Sequence, residues 1–150
     1  MANPTSDREI VVSRLFDASP EIVFSAFTER EHVEKWWVPS GTTIHEWNAK
    51  PGGLWRYSMP GPDGVQMPFK IKFIEIAKPT KLVYDYGTDA ENAPDPVRTN
   101  VIFEDQNGKT RVTLQLVFAT VAAYEEALKY GGAAGAQLAL KNLADYLARS

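Results

Sequence analysis

Two imidazoles, His32 and His45, are the only side chains whose ordinary pKa lies near neutrality, and the sequence contains no cysteine. His45 sits in the run Thr43-Ile44-His45-Glu46-Trp47. Strict strand alternation would put Thr43, His45 and Trp47 on one face and Glu46 on the other. Buried there, His45 could act as an acid or base. No carboxylate spacing supplies it with a partner, so a hydrogen-bonded strand histidine is the favoured reading. His32 lies in the polar helical stretch Glu31-His32-Val33-Glu34 and reads as exposed.

Other chemistry finds less support. Two histidines without a local carboxylate pattern match no usual metal-ligand spacing. A Gly-x-Ser-x-Gly elbow is missing, as are a phosphate-cradling loop and a dinucleotide fingerprint; Gly52-Gly53 closes a hairpin and does not open a helix. No catalytic constellation, metal or cofactor is expected.

The aromatic residues are more informative. Trp36, Trp37, Trp47 and Trp55 accompany six tyrosines and seven phenylalanines. Trp55, Tyr57 and Met59 share one strand face, Phe69 and Ile71 another, and Tyr84 and Tyr86 a third. Buried Tyr and Trp want a hydrogen-bond partner, which suits the wall of an apolar pocket with a few polar points; the alternative is that they fill the core. Arg56 falls on the parity opposite Trp55 and Tyr57 and reads as solvated. Trp36-Trp37 stands where a helix meets the sheet. If one indole packs inward, the other should lie near a cavity mouth, unless the pair is simply a packing wedge.

The elements that must position these groups are readable in order. Glu9 to Asp17, with Ile10, Val11, Val12, Leu15 and Phe16, is a first strand. Ser19-Pro20-Glu21 starts a short helix. Thr28 and Glu31 have capping-box spacing, which predicts a second helix from Glu29 to about Trp37, ended by Pro39 and Gly41. Six strands follow, over Thr42–Asn48, Leu54–Met59, Met67–Phe73, Leu82–Tyr86, Val97–Glu104 and Thr110–Phe118. Asn107-Gly108 marks the clearest hairpin. The polar segment from Thr88 to Pro96 is the expected mobile loop. Gly131, Gly132 and Gly135 suggest a break after a short helix from Val121 to about Tyr130, or a close backbone approach. Ala136, Leu140, Leu143, Ala144 and Leu147 then form the apolar stripe of a terminal helix. This order predicts an α+β domain over 1–150, with two short helices after strand 1.

The 150 residues have 44% hydrophobic and 23% charged content and a formal net charge of −3. That is a globular balance. Its mild acidity and scattered basic residues argue against nucleic-acid binding. No run approaches the length of a membrane span, and the N-terminal residues lack a leader pattern. A cytoplasmic location is the default expectation. A homodimer is plausible because an open sheet exposes edge strands.

Five words resemble the activator-of-Hsp90-ATPase homologue-1-like family of the START/Bet v 1-like (helix-grip) superfamily. They are Arg14-Leu15-Phe16-Asp17-Ala18-Ser19-Pro20, Trp36-Trp37-Val38-Pro39, Pro51-Gly52-Gly53-Leu54-Trp55, Gly61-Pro62-Asp63-Gly64 and Leu143-Ala144-Asp145-Tyr146-Leu147-Ala148. The resemblance implies a curved antiparallel sheet of about seven strands wrapped around a long C-terminal helix, with a cavity between them. With the aromatic excess and the missing catalytic constellation, it leads to the expectation of a small apolar ligand, aromatic or lipid-like, held by Trp36, Trp37, His45, Trp47, Trp55, Tyr57, Phe69, Ile71, Tyr84, Tyr86, Ala136 and Leu140. A cyclase- or hydrolase-type enzyme acting in that cavity is the alternative. The eukaryotic activators carry an additional domain for which 150 residues leave no room, so stimulation of a chaperone ATPase by this chain alone is not expected. Asn48 and Lys50 stand where many members have an acid and an arginine. Ala136 stands where many have a tryptophan, after the glycine expected to open the final helix; that substitution should enlarge the cavity or be filled by another ring.

Overall fold

The computed structural model describes residues 7–37, 41–61, 63–89, 96–129 and 131–149. Seven strands form one antiparallel sheet in the order β1-β7-β6-β5-β4-β3-β2. β1 (Glu9–Phe16) pairs with β7 (Lys109–Val117), so the chain's first strand closes onto its last. Between them run β2 (Thr43–Trp47), β3 (Leu54–Pro60), β4 (Gln66–Ala77), β5 (Lys81–Thr88) and β6 (Val97–Gln106). From β2 to β7 each pairs with its sequence neighbour, as hairpin connections favour.

The helices cover one face of this sheet. α1 (Pro20–Thr28) starts with Pro20 in its first turn, and the Ser19 carbonyl accepts the Val23 N–H at 3.0 Å. Its buried residues Val23, Phe24, Ala26 and Phe27 face the core. α2 (Arg30–Trp36) follows after a single extended residue, Glu29. The expected capping box does not form: Thr28 belongs to the last turn of α1 and donates its hydroxyl back to the Phe24 carbonyl at 3.1 Å. This is the local bond that a helical threonine makes in preference to capping the next helix. Gly41 has φ +88°; Pro39, the other expected stop, lies outside the described residues.

α3 (Val121–Lys129) and α4 (Gly132–Arg149) are separated at Gly131, whose φ of +82° is the left-handed geometry glycine adopts freely. The predicted break is therefore present. Gly135 does not open the final helix, however; it lies one turn inside it. α4 packs on β1 and α2, and buries Ala136, Leu140 and Leu143. No described helix is long and apolar enough to cross a membrane.

The core lies between the helices and the inner sheet face. Trp55, Tyr57, Ile71, Phe73, Leu82, Val101 and Val112 are all essentially buried there. The register brings these rows together: Trp55 faces Ile71, Ile71 faces Tyr86, Phe73 faces Tyr84, and Tyr84 faces Thr99. The opposite face is wet and carries ion pairs, including Arg98 to Asp85 and Arg56 to Asp89.

Candidate binding site

A cavity of about 400 Å³ lies between the inner sheet face and α4. Tyr84 and Tyr86 of β5, Thr99 of β6, and Leu114 and Leu116 of β7 form its sheet wall. Strand alternation explains this directly, since Tyr84 and Tyr86 are two residues apart and share a face. Phe27 of α1, with Trp36 and Trp37 at the end of α2, forms a second wall. The helix side is made by Gly132, Gly135, Ala136, Ala139 and Leu140. The first four recur at i, i+3, i+4 and i+7, one face of a helix, and none carries a side chain larger than a methyl. A Cβ built on Gly135 would meet nothing within 4 Å.

The walls are held rigidly. Phe27 meets Trp36, Trp37 and Phe103 edge to face, with ring centroids 5.0 to 5.8 Å apart. Trp37 also contacts Trp55 at 5.1 Å and Tyr84 at 5.6 Å, tying α2 to the sheet. The Trp36 indole N–H donates to the Ala26 carbonyl at 2.8 Å, so this buried ring is anchored through its polar edge. Trp36 is buried and Trp37 half-buried, yet both reach the cavity.

Six of the twelve residues expected to bind a ligand lie together here: Trp36, Trp37, Tyr84, Tyr86, Ala136 and Leu140. The others are elsewhere. Trp55, Tyr57, Phe69 and Ile71 form a row behind the wall. Trp55 packs on Tyr57 at 4.5 Å, Tyr57 on Phe69 at 5.8 Å, and Phe69 on Tyr86 at 5.8 Å. Trp47, half-buried on the edge strand β2, packs on Trp55 and Phe73. His45 is exposed and shares a 2.8 Å hydrogen bond with Ser58. The expected common face of Thr43, His45 and Trp47 is not formed, because a bulge interrupts β2 at His45. Ile44 pairs with Tyr57 and Glu46 with Arg56, so the extra residue shifts the parity. Ile44 and Trp47 face inward, while Thr43 and His45 do not. Arg56 is solvated, as expected, and pairs with Asp89 at 2.7 Å, which raises its pKa.

Phe27, Thr99, Leu114, Leu116, Gly132, Gly135 and Ala139 line the cavity without having been singled out. The small-residue spacing along α4 was the available signal; the glycines alone suggested only a break or a close backbone approach.

The polar side-chain atoms of the wall are the Tyr84 and Tyr86 phenols, the Thr99 hydroxyl and the indole N–H groups of Trp36 and Trp37. Burial pushes the Tyr84 and Tyr86 phenols, and Tyr57 behind them, above the ordinary tyrosine value. Beside burial, Tyr57 and Tyr86 are coupled through their hydroxyls, as are Tyr84 and Thr99. None of the described lining residues carries a carboxylate, imidazole, amine or guanidinium. His32 lies apart from this cavity, 2.6 Å from the Tyr146 hydroxyl through Nδ1.

A seven-stranded antiparallel sheet gripping a long terminal helix defines the helix-grip class of α+β folds. Within it, the chain belongs to the activator of Hsp90 ATPase homolog 1-like family, whose profile matches residues 17–148. Solved structures share the fold across nearly the whole length. An Arthrobacter aurescens protein is 22% identical, with a TM-score of 0.85 over 99% of this chain and 91% of that one. A Staphylococcus epidermidis protein is 25% identical, with a TM-score of 0.82 over 99% and 94%. Protein Ms6760 from Mycobacterium smegmatis is 21% identical, with a TM-score of 0.80 over 97% and 94%. No significant match is found among curated proteins.

Proposed function

We propose that this protein binds a small, largely apolar molecule in the cavity between the sheet and α4. The observation that carries this reading is the cavity itself: about 400 Å³, walled by aromatic and aliphatic side chains and left open by the Gly132-Gly135-Ala136-Ala139 face. That volume falls within the roughly 300–1,000 Å³ typical of ligand pockets. It also exceeds the roughly 150 Å³ apolar cavity known to admit benzene. An apolar wall of this kind gains by covering itself with an apolar guest, in proportion to the area removed from water. Among the described lining residues no group can take up a proton at neutral pH, which favours holding a molecule over acid–base turnover on it.

The test is titration with a neutral environment-sensitive fluorophore, N-phenyl-1-naphthylamine. A saturable fluorescence rise at one equivalent is expected, together with a higher Tm, since a ligand of the native state stabilises it. Gly135→Phe, which directs a ring into the space beside α4, should abolish the signal while the far-ultraviolet spectrum stays unchanged. Failure of the wild-type protein to bind this probe or any member of a broad apolar panel would reject the reading. Native mass spectrometry of protein taken gently from its source cells would then identify the natural occupant as a discrete added mass.

A further inference from the structure

A groove of about 370 Å³, sharing no residue with the cavity above, runs between α1, the start of α2 and the end of α4. Its floor is apolar. Ile22 and Ala26 stand one turn apart on α1, and Leu147 of α4 completes the strip. Ile22 is 55% exposed, so this strip is open to water. Glu21 and Glu29 flank it, and His32 and Tyr146 finish the lining with their rings edge to face at 5.9 Å.

The charge of the groove is one-sided. Among the described residues no lysine or arginine lines it, and Glu21, Glu29 and Glu31 enter no ion pair. Arg30, between Glu29 and Glu31 in the chain, is committed to Glu34 at 2.9 Å. A carboxylate oxygen of Glu29, one of Glu31 and a ring nitrogen of His32 nevertheless lie within 4.8 Å of one another. The Tyr146 hydroxyl meets His32 Nδ1 at 2.6 Å, which leaves Nε2 as the ring nitrogen for a guest. A primary ammonium carries three hydrogens at tetrahedral angles. Acceptors about 2.8 Å from its nitrogen stand about 4.6 Å apart, a spacing these three groups can offer. A metal ion would leave the apolar strip in water, whereas an ammonium on an apolar body covers it. We propose that this groove binds a small amphipathic primary amine. Its ammonium sits among Glu29, Glu31 and His32, and its apolar body lies along Ile22, Ala26 and Leu147. This site is independent of the cavity and of the ligand held there.

The test is a titration of the full chain, followed in nitrogen-15–proton correlation spectra, with 4-phenylbutylamine and with 4-phenylbutanol. The two probes are alike in shape and differ in charge. The amine should shift the Ile22, Ser25, Ala26 and Leu147 amides saturably. At these amides it should bind at least about threefold more tightly than the alcohol, a modest factor because exposed charge pairs each contribute little. Glu29→Gln/Glu31→Gln should remove that preference and leave the affinity for the alcohol as it was, and the variant's own spectrum shows whether it is folded. Gly135→Phe, which fills the space beside α4, should leave the amine shifts in place, so the outcome does not hang on the cavity. Nα-acetyl-lysine methylamide, which lacks the phenyl body, should bind more weakly than 4-phenylbutylamine. Equal affinities for amine and alcohol, shifts confined to the cavity residues, or a preference unchanged in the variant each overturn the proposal. Tighter binding of the lysine amide overturns it too, and assigns the groove to a lysine of a protein partner.

Discussion

Trp37 and Trp55 meet edge to face, with ring centroids 5.1 Å apart and planes at 80°. One stands at the C-cap of α2 and the other near the start of β3, where it is fully buried. Their contact joins a seven-residue helix, too short to be stable alone, to the sheet that supports it. Trp37 also touches Phe27, Trp36 and Tyr84, so one half-buried ring serves both the packing of α2 and the wall of the cavity.

Truncating that ring should be expensive. Trp37→Ala removes four aromatic contacts and widens the cavity, and a loss of about 2–4 kcal/mol is expected from the behaviour of large-to-alanine substitutions. Trp37→Phe keeps an aromatic edge against Trp55 and should retain more than half of that stability. Urea unfolding curves of the two variants check both values, and equal losses would show that the ring contacts contribute little.

The two glycines at the start of α4 should answer differently to the same change. Gly135→Ala adds a methyl where nothing lies within 4 Å and removes a flexible residue from a helix. It should stabilise the protein by about 0.5–1 kcal/mol. At Gly132 the new methyl would stand 3.0 Å from the Ala127 carbonyl oxygen and 3.2 Å from Ile10 Cδ1, so Gly132→Ala should be neutral or destabilising. Thermal unfolding of the pair tests this; equal Tm values would contradict the open space beside Gly135.

Alkaline pH should oppose folding through the buried phenols. Tyr57, Tyr84 and Tyr86 are raised above the ordinary tyrosine value chiefly by burial. The folded state therefore holds these protons more tightly than the unfolded chain does. Their contribution to stability is complete below the unfolded value of about 10 and is lost as pH rises above it, at up to about 1.4 kcal/mol per pH unit for each group. Following the phenolate absorbance should show three of the six tyrosines ionising only as the protein unfolds. Ionisation of all six before any loss of secondary structure would overturn the burial of the three.

Much of the fold was legible because its signals are local and repeated. Alternation in Tyr84 and Tyr86, the Asn107-Gly108 turn and the stripe Ala136-Leu140-Leu143 each report a period or a turn that the backbone obeys. The same alternation failed at His45, since a bulge adds one residue without a mark in the side chains around it. The cavity was only half legible. Parity names a strand's inner face, but Trp55 and Tyr57 share that face with Tyr84 and still sit behind other rings. Depth within a layer depends on three-dimensional packing. On the helix side Ala136 and Leu140 were foreseen, but Gly132 and Gly135 were weighed as helix breakers when their spacing also describes a face.

The bulge yields the last expectation. His45 stands exposed with its Nε2 at 2.8 Å from the Ser58 hydroxyl, away from the lining residues. A hydrogen bond between exposed side chains competes with water and contributes little net stability. His45→Ala should therefore change stability by no more than about 0.5 kcal/mol, as surface substitutions do, and leave N-phenyl-1-naphthylamine binding as it was. Ile44→Ala is the informative neighbour: its side chain packs partly buried against the core on the face of Tyr57, so it should cost more than His45→Ala. The reverse order, with His45→Ala the costlier or with weakened probe binding, would mean that the imidazole turns inward and that β2 runs without its bulge.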